Sequence, residues 1–326
     1  KGTEVLVTAE RQKFERSMES SQIALDLREI NSAPAFVEPD VFRTLQMLPG
    51  VQTTSDFSSA LYVRGSTPDQ NLIMLDGIAV YNPYHLGGIF STFNTDAIKE
   101  ADFHAGGFPA RYGGRMGAIL NVINREGNTE KITGSANLSL ISSKALIEGP
   151  LPKWKGMKGS WMISGRRTYI DKVVDALALP SGSKNSDGSD IPLRFPYYFY
   201  DYQIKANLDI DQDHRLTFTR FYGDDVLDFS YEDPSETVRN ENVTIQQDSK
   251  FGLDWPWGNQ TNGLTWRWIV SPKMITKTFL SNSRYRFDFD LFFQNRDLYT
   301  YSDSTVINFI NFNWNIYDII KDRTLE

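Results

Sequence analysis

From Ile132 onward the chain alternates apolar and polar residues with a period of two, and no other feature narrows its fold as far. In the stretch Tyr202 to Ile210, the residues Tyr202, Ile204, Ala206, Leu208 and Ile210 interleave with Gln203, Lys205, Asn207 and Asp209. Successive side chains of a strand point to opposite faces, so this stretch carries one apolar and one polar face. Leu264, Trp266, Trp268 and Val270 repeat the pattern against Thr265 and Arg267. Tyr285, Phe287, Phe289 and Leu291 repeat it against Arg284, Arg286, Asp288 and Asp290. About eight strand-like stretches can be counted in this way. Such faces suit a β-sandwich in water, and they equally suit a barrel wall that turns aromatic residues toward lipid.

Connection lengths separate the two. Pro152 to Gly159, Asp209 to His214 and Ser271 to Lys273 read as short turns, whereas Val173 to Tyr198 and Asp224 to Lys250 read as long polar loops. Outer-membrane barrels alternate short and long connections systematically, and a sandwich has no reason to. Composition agrees. No run of about 18 apolar residues exists, which excludes a helical membrane protein, while the 13% aromatic content fits a lipid-facing sheet. A net charge of -7 without a long Lys/Arg run excludes a nucleic-acid partner. Cysteine is absent, which removes disulfides and thiolate sites. The opening at Lys1 lacks a charged and apolar leader, so any export signal is expected upstream or already removed.

Before Gly127 to Thr133 the texture differs. Asp40 to Leu48 reads as a short helix behind Pro39, stopped by Pro49-Gly50. Leu61 to Val63 reads as a brief strand. Asn71 to Tyr81 is a hairpin signal, because Asp76-Gly77 between two apolar runs suits a type I′ turn. A second short helix is expected at Asp96 to Lys99, then a strand at Ala118 to Asn124. These pieces predict a compact mixed α and β unit of about 125 residues. Gly106, Gly107, Gly113, Gly114 and Gly117 allow tight turns in it, and neither dinucleotide nor P-loop spacing is present.

Three stretches of this first part resemble the TonB-dependent outer-membrane receptors. Thr3, Glu4, Val5, Leu6, Val7, Thr8 and Ala9 resemble the TonB box, and their β-forming residues suit pairing by strand addition. LYVRG at Leu61 to Gly65, with the following NLIMLDGIAVYNPYHLGG, resembles the central plug motif. ARYGGRMGAILNVIN at Ala110 to Asn124 resembles the motif that closes the plug and leads into the barrel. The resemblance implies a TonB-box segment and linker at 1–30, an α+β plug domain at 31–128, and at 129–326 the first strands of an antiparallel transmembrane β-barrel. Barrels with a plugged lumen have about 22 strands, so about fourteen more are expected after Glu326.

The same resemblance implies an outer-membrane location in a Gram-negative cell, with TonB, membrane lipid and a transported ligand as partners. An iron chelate, a cobalamin, a glycan and a peptide all remain open as that ligand, and no cofactor is expected. Family plugs set arginines against acidic residues of the wall; Arg64 matches one such position, with its acidic partners expected on later strands than those present, while Ala105 in HAGG stands where many relatives have Arg. Plug loops in the family form the floor of the ligand site, which here gives Tyr81, Asn82, Tyr84 and His85.

Other chemistry weighs less. Asp209, Asp211 and Asp213 imitate a calcium loop, but His214 and Arg220 occupy its glycine and glutamate positions. Asp224-Asp225 and Glu232-Asp233 could pair for glycoside hydrolysis, yet no aromatic cleft flanks them in sequence, so an enzyme is not expected. The competing expectation is a soluble or surface-attached β-rich carbohydrate-binding module, with Trp255, Trp257, Trp266 and Trp268 as its platform.

Overall fold

The computed structural model describes residues 22–34, 38–55, 58–152, 156–177, 180–184, 190–192, 195–240, 243–301 and 303–326. The TonB-box-like stretch Thr3 to Ala9 lies outside them. An N-terminal domain is built on a five-stranded sheet from β1 (Gln22–Asp26), β2 (Leu72–Leu75), β3 (Ile78–Ala79), β4 (Ile98–His104) and β5 (Ile119–Asn124), in the order β1-β4-β5-β2-β3. The β2–β3 hairpin turns as its sequence predicts, with Asp76 at φ 52° and Gly77 at φ 83°, the two positive values a type I′ turn needs.

Two short helices complete the domain, α1 (Leu27–Ser32) and α2 (Val41–Gln46). Asp26 and Glu29 form a capping box on α1. Asp40 caps α2, its carboxylate accepting the N–H groups of Phe42 at 2.7 Å and Arg43 at 3.3 Å. This cap fixes the register that buries Val41, Phe42 and Leu45 against Phe93, Phe103 and Leu120. Because β1 already pairs with β4, the packed unit includes residues ahead of the boundary expected at residue 31.

The expected helix at Asp96 to Lys99 is replaced by a single 3-10 turn, Thr95–Ala97, capped by Asn94 and followed at once by β4. Pairing decides the matter. β4 has a strand on each side, and that ladder outweighs the weak local preference of a four-residue stretch.

The second part is one antiparallel sheet of eight strands in simple chain order. They are β6 (Thr133–Leu138), β7 (Ser142–Pro150), β8 (Lys158–Thr168), β9 (Tyr197–Asp209), β10 (His214–Asn240), β11 (Val243–Ser271), β12 (Met274–Tyr301) and β13 (Thr305–Leu325). Connections after β7, β9 and β11 are short and share one end of the sheet. The connection after β8 includes helix α3 (Ile170–Leu177) within the stretch read as a loop.

The second expected loop, Asp224 to Lys250, is instead a continuation of β10 and β11, paired up to Asn240 opposite Val243. In that stretch runs of charged and amide residues in the sequence hide the period of two, although the backbone ladder continues.

Candidate functional site

The N-terminal domain packs against the polar face of the sheet. On β9, Tyr197, Phe199, Asp201, Gln203, Lys205 and Asn207 are all buried, and the alternate residues Tyr198, Tyr200, Tyr202, Ile204, Ala206 and Leu208 are half-exposed on the other side. On β8 and β7 the buried set includes Ser142, Lys144, Ser164, Arg166 and Thr168, whereas Ile147 and Ile163 point outward, Ile163 at 47% exposure. The outward face carries stacked rings at two levels. Tyr198, Tyr200, Tyr202 and Tyr222 stack at one, and His214, Trp266 and Trp268 at the other.

Ion pairs lock the domain to the sheet at several points. Arg166 of β8 is the hub: Nη1 donates to Glu38 at 2.8 Å, Nε and Nη2 reach Asp201 of β9 at 2.8 Å, and Nη2 also donates to the Ser91 carbonyl at 2.9 Å. Lys144 of β7 adds a second contact to Glu38 at 2.6 Å. Burial works against the Glu38 charge, but Arg166 and Lys144 outweigh it and hold that carboxyl below its ordinary value. Nearer the short-turn end, Lys205 donates to Asp76 at 2.7 Å and to the Asn124 carbonyl at 2.8 Å. Such pairs, fully desolvated, are costly to break one partner at a time.

His85 joins the same network. Its Nδ1 lies 2.6 Å from Asp225 and its Nε2 3.3 Å from Asp201, and its ring stacks on Phe199 at 3.9 Å between centroids. Burial alone would push the imidazole down; the two carboxylates prevail and hold it above its ordinary value. Tyr197 donates its hydroxyl to Asp225, and the Leu86 N–H reaches both.

One sequence expectation changes here, that for His85. Arg64 makes no ion pair among the described residues; it stands exposed in a turn at φ 49°, beside Gly50 and Gly106. Charges cross the interface in both directions: Lys144, Arg166 and Lys205 of the sheet meet Glu38 and Asp76 of the domain, while Arg125 and His85 of the domain meet Glu148, Asp201 and Asp225 of the sheet. His85, expected at a ligand floor, is 2% exposed and consumed by the network. Tyr81, Asn82 and Tyr84 do share a cavity of about 350 Å³, lined also by Asp69, Arg115, Tyr285 and Ile320. Asn82 donates to the Tyr285 hydroxyl at 3.1 Å.

The expected tryptophan platform is split by the pleat. Trp255 and Trp257 face the N-terminal domain and pack with Tyr197, Phe90 and Tyr285, while Trp266 and Trp268 lie on the outward face. An odd separation between the pairs places them on opposite sides of one strand.

Residues 29–119 match the family model described as the TonB-dependent Receptor Plug Domain. This segment is a TonB-dependent receptor plug domain. The fold class expected from sequence, an α+β plug followed by an antiparallel sheet of barrel strands, is therefore the one found. Among similar solved structures are the ferric enterobactin receptor PfeA of Pseudomonas aeruginosa and the siderophore receptor PirA of the same organism. The first is 13% identical over 87% of this chain and 49% of its own, with a TM-score of 0.45. The second is 14% identical over 89% and 60%, with a TM-score of 0.42. The outer membrane transporter YddB of Escherichia coli is 9% identical over 92% and 57%, with a TM-score of 0.45. The chain thus spans about half to three fifths of the length of the structures it matches.

Proposed function

We propose that the chain acts within an outer-membrane receptor that captures a scarce extracellular ligand and imports it, driven by TonB. The observation that carries this reading is a sheet turned inside out relative to one in water. Its buried face holds Lys144, Arg166, Asp201, Gln203 and Lys205, and its outward face holds Ile163, Ile204, Leu264 and Trp266. Such a sheet gains stability only where the outward face meets hydrocarbon.

Dimensions support the same reading. The outward row Tyr198 to Leu208 of β9 is uninterrupted by charge. At ~3.3 Å per residue and a tilt of ~40° it covers ~25 Å of height, the apolar band of an outer-membrane barrel. Tyrosines near one margin and tryptophans near the other occupy the positions of interfacial girdles. The plug then stands on the lumen side of the wall. Thr3 to Ala9 would add a strand to TonB at the short-turn, periplasmic end, and Tyr81, Asn82 and Tyr84 would meet ligand from above.

The test is deletion of Thr3 to Ala9 from the intact receptor in cells whose growth on a limiting nutrient depends on it. Growth is expected to stop while the receptor's amount in the outer membrane is unchanged. Continued growth overturns TonB-driven import.

A further inference from the structure

The outward face is not apolar throughout. Residues directly opposite on paired strands share a face, so the outward Tyr202 leads to Tyr222, Gln260, Arg284 and Lys321 in one cross-strand row. The row above holds Asp224, Gly258 and Arg286, and the row below holds Arg220, Asn262, Asn282 and Arg323. These three rows set five cations against one carboxylate, an excess that cannot face hydrocarbon. From Trp268 up β11 to Gly258, at ~3.3 Å per residue and a tilt of ~40°, the wall rises ~25 Å. The patch therefore stands at the upper margin of the apolar band, beside the stacked tyrosines. Above it the sign changes: Asp288 comes next, then Asp228, Asp254 and Asp290, which repel an anion and bound the patch from above.

The middle of the patch is shaped. Gly258 leaves a notch of about 60 Å³ between Tyr222, Arg284 and Arg286. A Cβ there would collide with the Asp224 carboxylate, which leans across the position. That carboxylate accepts the Tyr222 hydroxyl at 2.9 Å and Nη2 of Arg286 at 2.8 Å, and so fixes one guanidinium beside the notch. Arg220 turns to neutral acceptors, the Tyr202 hydroxyl at 3.0 Å and Oδ1 of Asn262 at 2.9 Å. Arg284 has neither. It makes no ion pair among the described residues, and its Nε is buried without a hydrogen-bond partner. A buried donor on a charged group is costly to leave unmatched, and this one opens on a notch that an acceptor from outside the chain can enter.

We infer that this outward patch is a lipid site, which holds the phosphate of an anionic outer-leaflet lipid between Arg284 and Arg286, with Lys321 alongside. Two guanidiniums flanking one notch each offer a two-donor fork to a tetrahedral phosphate. Phe218, Leu264 and Leu280 form the next outward row below the patch, where the acyl chains of such a lipid would lie. A free phosphate has the same charge and makes no use of that row. The inference rests on the outward face meeting lipid, as in the import reading, and needs neither TonB nor a transported ligand.

The test is native mass spectrometry of the intact receptor in a neutral detergent, with didecanoyl phosphatidate as probe and didecanoyl phosphatidylcholine as its control. Phosphatidate is expected to be retained at least about tenfold more tightly than phosphatidylcholine, whose choline offsets the phosphate charge. Arg284→Gln, which breaks no ion pair, is expected to weaken retention about fivefold, and its combination with Arg286→Gln at least about tenfold. Arg64→Gln, which removes an exposed arginine of the plug, is expected to leave retention unchanged. Inorganic phosphate in about a hundredfold excess is expected not to displace the lipid, since it lacks the chains. Equal retention of the two lipids, retention indifferent to Arg284→Gln, a loss as large in Arg64→Gln, or displacement by inorganic phosphate overturns the inference. TonB plays no part in the measurement, so its outcome is independent of whether deleting Thr3 to Ala9 stops import.

Discussion

The plug and the wall bury opposite kinds of residue. The plug encloses Phe42, Leu45, Phe93 and Leu120 and puts its charges outside, as a domain folded in water does. The wall encloses Arg166, Asp201, Gln203 and Lys205 and leaves Ile163, Leu264 and Trp266 outside. The two share an interface, so what the wall hides is what the plug displays. That difference teaches that the seam joins unlike faces: ion pairs and hydrogen bonds cross it together with apolar contacts, Phe221 in the plug core, Phe90 against Phe199 and Trp257, and Ala97 against Leu146 and Met162.

The hardest blow to this picture is Arg166→Ala. It strands Glu38 and Asp201 without their main cation, and breaking a buried pair from one side costs about 3–5 kcal/mol. Arg64→Ala, which removes no pair, is expected to change stability by less than about 0.5 kcal/mol. Denaturant unfolding of the two variants compares them directly, and equal effects would return the lock to the position that family resemblance suggests.

Ile163→Arg comes next. Ile163 sits between Ile147 and Ile204 in one cross-strand row of the outward face. A charge there is expected to cost about 2–4 kcal/mol in lipid vesicles, as at a bilayer midplane. In a sheet facing water the same change would be near neutral, so urea titration of the vesicle-embedded receptor distinguishes the two solvents.

The smallest effect is on pH. His85 is raised above its ordinary value of 6.5, so its stabilisation is complete below that value and is lost as pH climbs through the raised one. Glu38 is lowered from 4.5, so its contribution is present above 4.5 and is lost as pH falls through the lowered value. Each unit of displacement is worth about 1.4 kcal/mol. The denaturation midpoint is expected to fall on the alkaline side, and His85→Gln to flatten that limb. A midpoint independent of pH above 6.5 would remove His85 from the seam.

Much of this was legible in sequence. Pro39 and Pro49-Gly50 bracketed α2, Asp76-Gly77 announced its hairpin, and the interleaving from Tyr202 to Ile210 drew the second half of β9. The same interleaving named Gln203, Lys205 and Asn207 as one face. It could not say that this face would be the buried one, because alternation separates two faces without naming the solvent of either. Arg64 was named from family resemblance instead, and Arg166 and Lys144 become visible as partners only once register places them opposite Glu38. From Asp224 to Lys250 the strands escaped notice, since runs of charged and amide residues there break the alternation in sequence while the backbone ladder goes on.

Strand β1 lies at the rim of the plug sheet, joined to a single neighbour through five residue pairs, and Leu25 is its one buried side chain. Behind it, Glu38, Asp76 and His85 fasten the plug to the wall. A load applied at the amino-terminal side therefore meets its weakest seam first, and β1 can tear away while the Arg166 rivet still holds what lies behind it.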